Sequence, residues 1–484
     1  MRRTKIVATI GPASTSPKII DELLMAGVNV CRLNFSHGTL EEHKAVISDI
    51  RAAAMRLDLP VAILLDLQGP RIRTGLLEKG IVELKSEQRV TITTDDVKGN
   101  ENVIPTTYLQ LPQDVKPGDR ILIDDGLIEL RVIGVAGNNV ECDVVYGGIL
   151  KDQKGMNLPG VAISAPSLSR KDMRDMDFGI SQGVDYIALS FVRKASDVTG
   201  LKEYLKEKGA DIPVIAKIEK PEAIENLDSI IEEADGIMVA RGDLGVELSA
   251  EEVPIAQKKI IYMANIAGKP VITATQMLES MINNPRPTRA EASDVANAVF
   301  DGTDALMLSG ETAVGKYPVK TVEIMAKIAV EAEEADMSRR QSMRRKKEKA
   351  GSFSEAVAFA SFAAAGELHS KAIVVFTQSG STAKLVSKLR STTPIIAFTP
   401  LEETRRRLSL VWGVQPFCIE FGGHTDEMIC SGEAAMLNNG LAELGDTIVV
   451  VSGTKVGMRG ATNMMKIDRI GSEECKLFLK GKTG

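Results

Sequence analysis

Lys217 and Glu219 stand two residues apart where the apolar run PVIAKI (213–218) ends, and Asp243 follows the next such run, GIMVAR (236–241). Side chains at i and i+2 of an extended segment point the same way, so the ammonium and the first carboxylate share a face. Two carboxylates on neighbouring strands offer hard oxygens to Mg2+, or to Mn2+ in its place, an ion that keeps several waters and completes its shell from a substrate phosphate or carboxylate. A lysine beside that pair completes a phosphate clamp. The same spacing aligns Arg32, Asn34 and Ser36 at the end of VNVCRLN (28–34), while Asp66, Arg241, Thr275 and Ser309 close further runs. A single strand-end acid more often caps the next helix or pairs with a nearby lysine. A whole ring of polar strand ends points instead to a site.

Such a ring needs a scaffold that gathers strand ends. From Lys5 to Ser309 a short β-branched run, a polar turn and a helix-length segment recur, the pattern of parallel strands joined by helical crossovers. Eight runs carry it: IVATI (6–10), VNVCRLN (28–34), VAILLDL (61–67), YIALSF (186–191), PVIAKI (213–218), GIMVAR (236–241), PVITAT (270–275) and ALMLS (305–309). Several are apolar throughout, as strands buried on both faces must be. The expected fold is α/β, a closed (β/α)8 TIM barrel formed by residues 1–70 and 167–336, with its functional groups at the carboxyl ends of the strands.

Between the third and fourth runs the pattern changes. QRVTITT (88–94) and residues 119–148 alternate with Gly, Asn and Asp turns, which predicts a small all-β domain inserted over residues 71–166. A helix is expected over 319–336. The polar, basic stretch 337–353 cannot bury a core and reads as a linker. A second α/β pattern fills 354–484, with strands AIVVF (372–376), PIIAF (394–398), PFCIE (416–420) and TIVVV (447–451), and predicts a three-layer domain with an open sheet.

Composition narrows the functions. The 484 residues exceed what one core organises, and 44% hydrophobic with 26% charged residues is ordinary for globular proteins. A net charge of -6 excludes a chain-wide electrostatic footprint for nucleic acid or an anionic membrane. No apolar stretch is long enough to span a bilayer and no apolar leader follows Met1, so a cytoplasmic address is expected. Cys31, Cys142, Cys418, Cys430 and Cys475 are odd in number and scattered, and read as small buried hydrophobes outside any disulfide or zinc framework.

Two Gly-rich segments need separate treatment. Gly310–Lys316 matches the opening of a Walker A loop, but Tyr317 stands where a short hydroxyl must reach Mg2+, so the match is rejected. Thr377, Ser379, Gly380, Ser381 and Thr382, between a strand and a helix-like segment, could cradle a phosphate or could simply cap the helix. A loop after the last strand adds Lys455 and Arg459, which favours an anionic regulator.

VCRLNFSHG (30–38), VIAKIEKPEAI (214–224), MVARGDLGVE (238–247), TATQMLESM (273–281), the segment 285–318 and FTQSGST (376–382) stand in an order that resembles the pyruvate kinase family over essentially the whole chain. The resemblance implies phosphoryl transfer from phosphoenolpyruvate to ADP, giving pyruvate and ATP. It implies Mg2+ on Glu219 and Asp243, the transferred phosphate on Arg32 and Lys217, and substrate contacts from Gly242, Asp243 and Thr275. Lys217 would neutralise the loose, metaphosphate-like group in flight, and Thr275 and Ser309 would flank a hydroxyl and water relay that protonates the enolate. Asn34, His37, Arg73 and Lys194 resemble nucleotide-side residues, and the β insertion resembles a lid.

Asn34, Ser36, Asp66 and the backbone of Leu67 resemble the family's monovalent-cation site. Many K+-requiring members carry Glu within G-P-x-I-R-T-G, where this chain has Arg71. A fixed guanidinium there would supply the charge K+ otherwise provides, so K+ is expected to be dispensable. The Thr377 loop with Lys455 and Arg459 resembles a site for a phosphorylated effector. The resemblance is to the compact bacterial form, and members are usually homotetramers. Two other readings compete: a Mg2+-dependent enolate lyase or aldolase on the same barrel, and a non-enzymatic scaffold whose basic stretch 339–349 binds RNA or partners.

Overall fold

The structure, a computed structural model, describes residues 2–70, 72–161, 163–164, 166–342, 351–453, 462–472 and 475. Strands Lys5–Thr9, Val30–Asn34, Ala62–Asp66, Tyr186–Leu189, Val214–Ile218, Gly236–Ala240, Val271–Ala274 and Ala305–Leu308 form a closed parallel barrel in sequence order. These are the expected runs, most trimmed by one or two residues at their ends; the first is displaced by one residue, starting at Lys5 in place of Ile6.

Strand alternation divides the barrel into two cores. Ile6, Cys31, Leu65, Ile187, Ala216, Ile237, Val271 and Leu306 face outward and pack under the surrounding helices. Val7, Val30, Leu64, Tyr186, Ile215, Met238, Ile272 and Ala305 face the lumen and fill it. Continuing the lumen-facing rows of the first five strands by two or four residues toward the carboxyl end gives Thr9, Arg32, Asn34, Asp66, Ser190, Lys217 and Glu219. The sequence period that fills the lumen therefore also aims the polar groups at its mouth.

The insertion between the third and fourth barrel strands is all-β. A six-stranded sheet runs in the order Met156–Asn157, Arg120–Ile123, Ile128–Ala136, Asn139–Tyr146, Arg89–Thr93, Val103–Pro105, beside a two-stranded pair of Ile81–Leu84 with Gly148–Lys151. Its core is separate from both barrel cores.

The helix after the barrel, Pro318–Ser342, runs six residues past the expected end at 336, into the stretch read as a linker. The third domain holds a five-stranded sheet ordered Val414–Cys418, Ile395–Thr399, Ala372–Phe376, Thr447–Gly453, Thr462–Arg469, the last strand antiparallel. Helices Phe353–Glu367 and Ser381–Lys388 cover one face and Thr425–Asn438 the other, giving the three layers expected. The alternating strand Thr462–Arg469 follows a Gly-rich stretch of sequence and carries no long apolar run, which is why the sequence pattern passes over it.

Leu410 from this domain is fully buried in the lumen cluster, so the third domain plugs the amino-terminal end of the barrel. Around the plug, Arg390 pairs with Asp304 at 2.9 Å, Arg405 with Asp58 at 2.7 Å and Arg406 with Asp185 at 2.8 Å.

The cysteines require a correction. Cys430 and Cys475 form a disulfide across a separation of 45 residues, with Cα atoms 5.0 Å apart. Scattered spacing did not exclude it, because pairing depends on where the fold returns the chain. Cys31 and Cys142 are buried as expected, whereas Cys418 is exposed.

Candidate active site

Lys217 is the penultimate residue of the strand Val214–Ile218 and is almost fully buried. Its ammonium lies 2.7 Å from Glu219 Oε1 and 3.3 Å from Asp66 Oδ1, and donates to Ser190 Oγ at 2.8 Å. Arg32 reaches the same acid from the neighbouring strand: Nε donates to Asp66 Oδ2 at 2.7 Å and Nη1 to Thr9 Oγ1 at 2.9 Å. One buried carboxylate thus holds two cations, each of which keeps a polar end at the mouth.

Burial alone would raise the Asp66 carboxyl, but Lys217 and Arg32 outweigh it and hold Asp66 below its ordinary value. Burial likewise opposes the Lys217 charge, and Asp66, Glu219 and Asp243 together overcome it, so the ammonium binds its proton more tightly than a free lysine. Glu219 shifts the other way: burial, helped by the nearby Asp243 charge, raises its carboxyl despite Lys217. Its Oε2 accepts the Phe191 N–H at 2.7 Å.

Asp243 lies in the short helix Arg241–Glu247 that follows the strand Gly236–Ala240. The adjoining turn is strained. Thr275, a β-branched residue, has φ 68°, and Gln276 has φ 54°, a region such residues rarely enter. Thr275 Oγ1 accepts the Gly242 N–H at 2.7 Å and donates to the Ala274 carbonyl at 2.6 Å. Arg241 Nη2 donates to the Thr275 carbonyl at 2.7 Å while its Nη1 pairs with Asp294 at 2.6 Å. Arg241 is therefore spent on fixing this turn. Ser309 Oγ is buried without a partner among the described residues.

Other expected residues lie around this centre. Asn34 sits opposite Asp66 in the strand register and its side chain accepts the Ser36 N–H at 3.1 Å. The Leu67 carbonyl accepts Ser190 Oγ at 2.8 Å. His37 is exposed beyond the second strand, its carbonyl 2.9 Å from His43 Nε2. Arg73 lies where the insertion begins, bridged to Gly155. Lys194 is the N-cap of helix Ala195–Glu207, exposed, and is not joined to the Arg32–Lys217 network. Arg71, Lys455 and Arg459 lie outside the described residues.

In the third domain, Gly380, at φ 81°, precedes helix Ser381–Lys388, and its N–H is held by Thr377 Oγ1 at 3.0 Å. Thr382 is buried against Thr462 at 2.6 Å, so the accessible hydroxyls of that loop are those of Ser379 and Ser381. The Walker-like segment forms a single helical turn, Gly310–Ala313, followed by the helix from Pro318, and no phosphate loop.

Residue pattern did not reveal Thr9, Ser190 and Phe191, which position the cations and Glu219. It also missed a bridge in which Lys220 and Asn157 both donate to Glu247 Oε1, Asn157 at 2.9 Å, tying the inserted sheet to the barrel.

The family model for the pyruvate kinase barrel domain matches residues 1–322, and that for the pyruvate kinase alpha/beta domain matches residues 355–468. The chain belongs to the pyruvate kinase family. The pyruvate kinases of Staphylococcus aureus strains MRSA252 and USA300 are each 50% identical to it over 475 residues, covering 98% of this chain and 81% of theirs. A crystal structure of a pyruvate kinase from Cryptosporidium parvum superposes with a TM-score of 0.89 at 40% identity, covering 97% of this chain and 96% of that one. Family membership sets aside the lyase and scaffold readings.

Proposed function

We propose that this chain transfers the phosphoryl group of phosphoenolpyruvate to ADP, giving pyruvate and ATP, at the carboxyl ends of the barrel strands. The observation that carries this reading is the buried Arg32–Asp66–Lys217–Glu219 network. Arg32 and Lys217 bind the transferring phosphoryl group, and Asp66, Thr9 and Ser190 hold both cations in place before substrate arrives, so little reorganisation accompanies transfer. The firmly protonated Lys217 supplies its charge to the group in flight.

Among the described residues no group of three or more His, Cys, Asp and Glu side chains converges on a metal position. Two acids are what Mg2+ uses when waters and substrate complete its shell, and burial, with the Asp243 charge beside it, raises the Glu219 carboxyl, a cost that a cation on the pair would offset. The residues fit, with Glu219 and Asp243 as ligands. Mg2+ bound there supplies charge and Lewis acidity to the substrate oxygens. The Gly242–Thr275 unit orients the substrate, and the unpartnered Ser309 hydroxyl with Thr275 carries the water relay that protonates the enolate.

Asn34, His37, Arg73 and Lys194 serve the nucleotide, and residues 71–166 close over it as a lid. Asn34, Ser36, Asp66 and the Leu67 carbonyl form the monovalent-cation position, which Arg71 makes dispensable. Ser379 and Ser381, with Thr377, Gly380, Thr382, Lys455 and Arg459, bind a phosphorylated effector. The chain acts as a cytoplasmic homotetramer divided at 71–166, 337–353 and 354–484.

The test is ADP-dependent pyruvate release from phosphoenolpyruvate with Mg2+, in K+-free buffer and with K+ added. Turnover in both is expected. Turnover only with K+ removes the Arg71 role and keeps the rest; none in either buffer refutes the reading.

A further inference from the structure

Below the barrel, away from the catalytic mouth, a small, open recess lies between the barrel and the third domain. Lys269 and Asp304 line it from the barrel, and Lys384, Lys388 and Arg390 from the third domain. Among the described lining residues one carboxylate stands against four cations, and it is already engaged: Asp304 accepts Arg390 Nη1 at 2.9 Å and the Val271 N–H at 2.8 Å. Asp235, the next acid, pairs with Lys202 at 3.1 Å. Lys269 donates to the carbonyls of Glu232 at 3.1 Å and Ala234 at 2.6 Å, and the acids that act on its charge, Asp235, Glu233 and Glu232, stand outside the pocket lining.

Lys384 and Lys388 lie one turn apart on Ser381–Lys388, and among the described residues neither makes a hydrogen bond or an ion pair. Burial lowers the proton affinity of Lys269, Lys384 and Lys388 alike; Lys269 adds repulsion to both others, and the attraction of Asp235 and Asp211 for Lys384 and of Glu355 for Lys388 does not restore it. Helix C-termini account for Lys388, in the last turn of its own helix, and for Lys269, on the carbonyls that end Leu227–Glu233. They do not account for Lys384, nor for the gathering of all three on one recess between two domains.

We propose that this pocket binds the phosphoryl group of a small metabolite, or inorganic phosphate, which ties the barrel to the third domain through Lys269, Lys384 and Lys388. The site is distinct from the Thr377 loop, which lies at the opposite end of the same helix. Its position just before the strands Val271–Ala274 and Ala305–Leu308 places the bound anion at the base of the two strands that lead into Thr275 and Ser309.

Pyridoxal phosphate with borohydride trapping, followed by peptide mapping, reads the site directly, because lysines of lowered proton affinity beside an anion pocket label preferentially. Labelling of Lys384 or Lys388 is expected, with saturable protection by inorganic phosphate or by glycerol 3-phosphate at constant ionic strength; the tighter protector tells the free ion from the ester. In Lys384→Gln/Lys388→Gln the phosphate-induced thermal shift should fall, with affinity weakened about tenfold or more by the loss of charged contacts, while Ser379→Asp keeps it. Protection no better than that given by chloride, or an unchanged phosphate shift in the double variant, would overturn the proposal.

Discussion

Replacing Lys217 by methionine removes one charge and keeps the apolar stem. In the folded protein that charge lies 2.7 Å from Glu219 and 3.3 Å from Asp66. At an effective dielectric of about 20, unit charges about 3 Å apart interact by roughly 5–6 kcal/mol, and a phosphoryl oxygen drawn into the same range gains comparably. The part of this gain realised only during transfer sets the rate. Cations placed on a transferring phosphoryl group contribute about 10³–10⁵, so kcat should fall at least about 10³-fold.

Stability should fall less. Glu219 would keep the Phe191 N–H and either stay charged, at about 3–5 kcal/mol, or take up a proton, which at pH 7 limits the loss to about 3 kcal/mol. A melting temperature lower by about 5–10 °C is expected. The half-saturating Mg2+ concentration should not rise, since the ammonium competes for Glu219 Oε1, whereas Glu219→Gln should raise it. Coupled pyruvate assays across a Mg2+ titration, with calorimetry on the same samples, test all three. A Lys217→Met enzyme within tenfold of the wild-type kcat would refute the reasoning.

Three further outcomes can be checked. Burial, with Arg2 adding to it, lowers Lys5 to about 7 where it donates to the Val414 carbonyl at 2.7 Å. The unfolded chain then holds the extra proton between about pH 7 and the ordinary lysine value, so this group makes stability climb with pH in that window, by up to about 1.4 kcal/mol per unit; Lys5→Met should flatten that climb in urea titrations compared across pH. Leu410→Ala, emptying the plug of the lumen, should cost about 2–5 kcal/mol and separate the melting of barrel and third domain in calorimetry. Asn157→Ala, which cuts the link from the inserted sheet to Glu247, should speed hydrogen exchange in residues 120–157 about tenfold or more, one charge-assisted bond being worth about 1.5–3 kcal/mol.

The barrel was legible because its strands are apolar on both faces and Arg32, Asp66, Lys217 and Glu219 continue the lumen-facing rows. What positions them was not. Thr9 and Ser190 act through hydroxyls that any strand end could carry, and Phe191 through a backbone N–H at φ 55°, which no residue type announces. Ile81–Leu84, Val103–Pro105, Gly148–Lys151 and Met156–Asn157 are each four residues or fewer, too short for alternation to register. Arg405, Arg406 and Arg407 look like a solvated basic run. They are instead partly buried against the barrel, where Arg406 and Arg51 share the buried Asp185 at 2.8 and 2.7 Å.

The charge at the mouth yields a last prediction. Arg32 and Lys217 are spent against Asp66 and Glu219, and Asp243 remains, so the protein's own groups leave the centre with one net negative charge. A phosphorylated carboxylate approaching that centre meets repulsion in a poorly solvated recess, where charges are weakly screened. A divalent cation on Glu219 and Asp243 reverses the sign of the whole centre, which is a larger change than any one contact supplies. Phosphoenolpyruvate should therefore bind the metal-free protein at least about 100-fold more weakly than the Mg2+ form, a coupling of about 2.7 kcal/mol. By reciprocity it should tighten Mg2+ by the same factor. Calorimetric titrations of each ligand in the presence and absence of the other measure both. Equal affinity for phosphoenolpyruvate with and without Mg2+ would show that Arg32 and Lys217 suffice alone, and that Asp66 and Glu219 neutralise them less than their distances imply.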